Sequence, residues 1–175
     1  MAKVPFSKLK CKINTDEIPF QIGDETIAVK QYLPIQEKLA LIGRVIMQSH
    51  EEDANYSNPV KIAVITDLEL VFAYTNINFT DKQKEDLPKL YDLLYSSGVL
   101  DKILEAIPED ERFIIDIGVR DSIESIYKYQ NSILGIMDAL KQDYSEVGTD
   151  MEKIKQDISD PEVLGIVKDF LTNLN

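Results

Sequence analysis

The sequence predicts a mainly α protein: a helical bundle with a long helix in its C-terminal half and a small N-terminal antiparallel β-hairpin. Three observations predict it. Within Asn58 to Thr80, the residues from Ile62 to Tyr74 are apolar except for Thr66, Asp67 and Glu69, so the run belongs in the interior. It exceeds the usual strand length of about 4–8 residues, and Asn58-Pro59 reads as an N-cap followed by the first helical position. Every later segment carries helical caps or spacing. Before Pro34, two segments with β character, Ile13–Ile22 and Glu25–Tyr32, flank Gly23-Asp24, and glycine at the first loop position suits a type II′ hairpin.

Along the chain, residues 1–12 carry Lys3, Lys8, Lys10 and Lys12 and no acid. That leaves 15 basic and 31 acidic residues on the remainder, a net of −16 against −12 for the whole, so a basic arm is joined to an acidic body. In the hairpin, Thr26, Ala28 and Lys30 alternate with Ile27, Val29 and Gln31. Pro34 then opens a helix whose inward positions are Ile35, Leu39, Ile42, Val45, Ile46 and Ser49, with Glu37 and Lys38 outward. The polar stretch HEEDANYSN leads into the central run.

Beyond that run, Thr80 and Gln83 form a capping box for a short charged helix. Leu87, Leu90, Leu93 and Leu94 make the stripe of the next, which stops at Ser96-Ser97-Gly98. Val99–Ile107 is another short helix, closed by Pro108. The long helix starts there, with Glu109, Asp110 and Glu111 against its positive dipole end. From Ile126, the positions Gln130, Ile133, Met137, Leu140 and Tyr144 recur at the coiled-coil interval. Gly118 and Gly135 inside this stretch imply close backbone packing or a bend. Val147–Asp150 break the helix, Thr149 and Glu152 repeat a capping box, and Asp160-Pro161 begins a last amphipathic helix.

A chain of 175 residues supports one well-buried core. The expected division is a basic arm at 1–12, the hairpin and helical core at 13–107, and the long helix with the C-terminal helices packed on the core at 108–175. The negative balance argues against direct nucleic-acid binding. A single cysteine, Cys11, suits a reducing compartment; the N-terminus shows no signal-peptide pattern, and the central run is too polar at Asp67 and Glu69 to span a bilayer.

Chemistry has few carriers. His50 is the sole histidine and follows a helix end in a polar loop, so a capping or exposed role outweighs general-base work. No nucleophile elbow, phosphate loop or dinucleotide fingerprint can be assembled. Asp53, Asn55 and Ser57 alternate as in a calcium loop, but Asn58 and Val64 occupy the positions that need Gly and Glu. No catalytic residue, cofactor or metal is therefore expected. The interface candidates are Lys3, Lys8, Lys10 and Lys12, then Tyr91 and Tyr95 at helical spacing, and Ile126, Ile133, Met137, Leu140 and Tyr144 along the long helix.

Through QYLPIQEKLALI, AYTNINFTDKQKED, KLYDLLYSSGVLDKILEAIPEDE, IYKYQNSILGIMDAL and DISDPEVLGIVKDFL, the chain resembles a family of proteins encoded by phages and prophages of Gram-positive bacteria. A hairpin followed by helices is also similar to the layout of tail assembly chaperones of long-tailed phages. The resemblance implies a non-enzymatic structural or morphogenesis protein, acting by protein-protein binding on other phage structural or assembly proteins, as a homo-oligomer or within a larger assembly. It implies action in the host cytoplasm during assembly, with retention in the virion as a second location. The alternative from composition is an acidic DNA mimic that inhibits a host defence or nucleic-acid enzyme.

Overall fold

The computed structural model of the protein describes residues 3–49 and 58–138. The expectations for His50, the Glu51–Ser57 loop, Leu140, Tyr144, the Val147–Asp150 break, the second capping box and the last helix lie outside the described residues. The chain divides into two compact units, Met1–Ser125 and Ile126–Asn175. The fold is mainly helical with one small two-stranded antiparallel sheet.

In the first unit, a single 3-10 turn at Phe6–Leu9 precedes β1 (Glu17–Ile22) and β2 (Glu25–Lys30). The strands pair antiparallel from Glu17 opposite Lys30 to Ile22 opposite Glu25. Gly23 has a φ of +62° and no positive φ falls on Asp24, as the II′ pattern requires. Ile27 and Val29 are buried while Thr26 is exposed, so β2 turns its β-branched face onto the helices.

The two edges of this ribbon differ. The Ala28 N–H donates to Asn76 Oδ1 at 3.0 Å and the Asn76 N–H donates to the Ala28 carbonyl at 3.3 Å, so the chain itself covers the edge of β2. Ala28 therefore points its backbone groups away from β1, and its register partner Pro19 must point its own groups outward as well. The amide hydrogen that proline lacks is one the ribbon does not use, and its absence blunts the open edge against a further strand.

The helices named among the described residues are α1 (Ile35–Ser49), α2 (Pro59–Tyr74), α3 (Asp81–Glu85), α4 (Leu87–Ser96), α5 (Val99–Ala106) and α6 (Glu109–Gln130). The Asn58 side chain accepts from the Val60 N–H, with Pro59 in the first turn, as the sequence predicts. Buried residues Ile65, Leu68, Leu70, Val71 and Tyr74 surround α2 on all sides; a helix apolar all round belongs at the centre, and α1, α4 and α5 pack on it. Thr80 and Gln83 form the expected capping box, and Gly98 takes a φ of +69° between α4 and α5.

The face of α1 differs from expectation. Its buried residues are Lys38, Leu41, Val45 and Ser49, while Ile35 and Leu39 are exposed. Lys38 is 4% exposed rather than outward, because a carboxylate waits for it inside. Glu111 of α6 accepts from Lys38 Nζ at 2.6 Å, from the Leu33 N–H at 2.9 Å and from the Tyr74 hydroxyl at 2.8 Å. Burial alone would push the Glu111 carboxyl up; the bonds from Lys38, Leu33 and Tyr74 outweigh it and hold it below the ordinary carboxylate range. Helices α1 and α2 share a further polar contact: Glu69 accepts from Arg44 Nε at 2.8 Å and from Gln48 Nε2 at 3.0 Å.

Gly118 fulfils the close-packing expectation, since a Cβ there would stand 2.5 Å from Ile42 Cδ1. The long helix is shorter than its pattern. It ends at Gln130, a turn follows at Asn131-Ser132, and helix resumes from Ile133. Asn131 Nδ2 donates to the Tyr127 carbonyl at 2.9 Å, and Ser132 Oγ accepts from the Gly135 N–H at 3.1 Å. These side chains compete with the helical ladder and cap a new turn. Gly135 lies against the Tyr129 carbonyl, where any side chain would collide with backbone.

Candidate functional site

The four candidate lysines lie on a segment that is exposed from Lys3 to Pro19. Its apolar residues are exposed as well: Val4 by 67%, Phe6 by 75%, Leu9 by 58% and Ile13 by 71%. Isolated exposed apolar residues are ordinary, but four within ten positions of one arm form an exposed apolar surface. The Lys8 N–H donates to the Pro5 carbonyl at 3.0 Å, and Lys10 ends the 3-10 turn at a φ of +50°. In such a turn positions i and i+3 eclipse, so Phe6 and Leu9 lie on one side.

Tyr91 and Tyr95 stack on α4 with ring centroids 5.7 Å apart, Tyr95 outward and Tyr91 half-buried. Ile126, Ile133 and Met137 are exposed. The turn at Asn131-Ser132 interrupts the four-and-three spacing of this stretch, so Ile126 and Ile133 stand on separate helical segments rather than one continuous seam. The same unit holds a bond from the Tyr129 hydroxyl to Asp138 Oδ2 at 2.6 Å, which pushes the Tyr129 hydroxyl up from its usual value.

A second feature escaped sequence reading. Between α2 and α6 runs an open groove of about 470 Å³ with walls of Pro59, Ile62, Ala63, Val119 and Ile123. Two carboxylates line it, Asp67 from α2 and Asp116 from α6. Burial and then the neighbouring Asp116 charge push the Asp67 carboxyl up to about 6, against smaller opposing effects of the Tyr91 hydroxyl and Arg112. Desolvation by the surrounding protein pushes Asp116 up too, partly offset by Arg112. Arg112 Nε is buried and has no hydrogen-bond partner among the described residues. Arg120 stands at the rim with its Nε 3.2 Å from Asp121. The groove therefore holds two acids that Arg112 compensates only in part, with Arg120 at the rim, between apolar walls, a setting that favours a further positively charged group carried on an apolar stem.

The sequence held a weak signal for this site: Asp67 is one of few polar residues in the central run, and Asp116 follows Arg112 by one helical turn. What it lacked was the distance between α2 and α6. Among the described residues, no three His, Cys, Asp or Glu side chains cluster as metal ligands would, and no helix is long and apolar enough to cross a membrane.

The raised Asp67 carboxyl has a consequence for stability. A carboxyl protonated more readily when folded than when unfolded makes the fold lose stability as pH rises from its ordinary value of 3.8 to about 6. Asp67→Asn is thus expected to raise unfolding free energy by about 1–2 kcal/mol at pH 7.5, discounted for partial solvent screening, and to leave it unchanged at pH 3.5. Urea titrations at the two pH values check this; a loss of stability at pH 7.5 would refute it. Compared with protein-family models, with curated proteins and with solved structures, the chain shows no match to any of them.

Proposed function

We propose that this is a non-enzymatic assembly protein, a phage structural or morphogenesis component that works by binding other structural or assembly proteins and copies of itself. The observation that supports the reading best is the arm. Its apolar side chains stand in solvent and its lysines oppose the acidic remainder of the chain in charge. Such a segment gains from a second surface that covers Phe6 and Leu9 and offers carboxylates to Lys8 and Lys10. The hairpin offers little to a further strand, because one edge is covered and Pro19 blunts the other.

The mimic reading draws no comparable support from the acids. Glu69 and Glu111 are buried in ion pairs and Asp67 is half-buried, so these three do not form a solvent-facing row of charges.

Light scattering on the intact chain and on one lacking residues 1–12 tests the binding mode. The intact chain is expected to show at least twice the monomer mass at low salt and a smaller mass at high salt, since screening weakens the charge attraction. The shortened chain is expected to remain monomeric. A strict monomer for both at every concentration would end the self-assembly part, and absence from virions and assembly intermediates by mass spectrometry would end the phage part.

A further inference from the structure

We propose that the groove between α2 and α6 receives the N-terminal arm of a second copy of this chain, with Phe6 and Leu9 against its apolar walls and Lys8 and Lys10 on Asp67 and Asp116. The proposal rests on the assembly reading and names the surface that the arm meets. Each partner carries what the other lacks. The arm has apolar side chains in solvent and lysines that make no ion pair among the described residues, all in a segment exposed from Lys3 to Pro19. The groove has apolar walls and two carboxylates whose charged form desolvation disfavours, at Asp67 together with the Asp116 charge, and which Arg112 offsets only in part.

The shapes also agree. One 3-10 turn places Phe6 and Leu9 on a single side, and a groove of about 470 Å³ admits both side chains. Lysines next to them in sequence then reach the groove rim, keeping their stems on its apolar wall and their ammonium groups at the carboxylates. Docking this way buries the arm's apolar residues, and the lysines complete the charge compensation that Arg112 gives Asp67 and Asp116 only in part. Because arm and groove are different surfaces, the contact is heterologous: each copy gives an arm and receives one. Such contacts close into rings or continue into open arrays, according to the rotation between copies.

Seating lysines favours the ionised carboxylates, so docking releases protons and weakens as pH falls from 7 to 5. The groups facing Asp67 are Asp116 and Arg112 from α6, Tyr91 from α4 and Asp101 from α5. Tyr91, pushed up by burial, keeps its proton through that interval, so the carboxylates carry the effect.

A charge exchange tests the pairing in the full-length chain. One variant reverses the arm (Lys8→Glu with Lys10→Glu) and another reverses the groove (Asp116→Lys, at an exposed position); circular dichroism and thermal unfolding verify that both fold. Each alone is expected to self-associate at least tenfold more weakly than the native chain by light scattering. Their equimolar mixture is expected to recover association, because the reversed arm meets the reversed groove while the groove variant's native arm meets the arm variant's native groove. Association that depends on the arm but is indifferent to Asp116→Lys and Asp67→Asn would overturn the groove assignment while leaving the assembly reading intact. Weakening in both single variants without recovery in the mixture would likewise overturn the pairing. A native chain that stays monomeric throughout would overturn the proposal together with the self-assembly it rests on.

Discussion

Replacing Glu111 with alanine is expected to destabilise the protein by about 3–5 kcal/mol, because it strands a buried ammonium rather than because it removes a favourable pair. Glu111 joins three partners from three parts of the chain: Lys38 of α1, the backbone of Leu33 before it, and Tyr74 at the end of α2. Without the carboxylate, the Lys38 charge, the Leu33 N–H and the Tyr74 hydroxyl all lose their acceptor in a place that water reaches poorly. Lys38→Met should cost less, since Glu111 would keep two donors. Urea unfolding at pH 7 separates the two substitutions, and a loss below about 1 kcal/mol for Glu111→Ala would show that the surroundings rearrange to solvate Lys38.

The same carboxylate shapes the acid response. Its folded pKa lies below the unfolded value near 4.5, so its contribution is complete above that value and disappears as pH falls through the folded one. Glu111→Gln is expected to flatten this acid limb. Asp67 acts with the opposite sign between 3.8 and about 6, so the two substitutions should change the pH profile in opposite directions.

Neighbouring leucines on α1 should differ sharply. Leu41 is fully buried in the central cluster, whereas Leu39 is 56% exposed. Leu41→Ala is expected to cost about 2–5 kcal/mol through lost burial and a residual cavity. Leu39→Ala should change stability by no more than about 0.5 kcal/mol, as exposed positions usually do. Equal losses in denaturant titrations would mean that α1 buries the face suggested by its apolar spacing.

That contrast shows where sequence reading succeeded and where it stopped. Asn58-Pro59, the Thr80–Gln83 box, Gly98 and Gly23-Asp24 gave correct boundaries because each acts on backbone groups within a few residues, and such chemistry is written locally. Placing α2 at the centre needed only its own side chains, which are apolar all round. The break at Asn131-Ser132 was written there too, in two side chains able to compete with the helical ladder, but the four-and-three spacing that continues across it masked the signal.

The sequence by itself determined the helical class, the N-terminal ribbon, the central position of α2 and the opposition between a basic arm and an acidic body. These follow from periodicity, local capping and charge, all readable without knowing which elements touch. Only the tertiary structure decided that Lys38 turns inward while Leu39 turns out, that Pro19 faces the open edge of the ribbon, and that Asp67 meets Asp116 across a groove. Each depends on a partner tens of residues away: 73 positions separate Lys38 from Glu111. A buried charge is tolerable only opposite its counter-charge, and periodicity along one segment holds no record of where that counter-charge will stand.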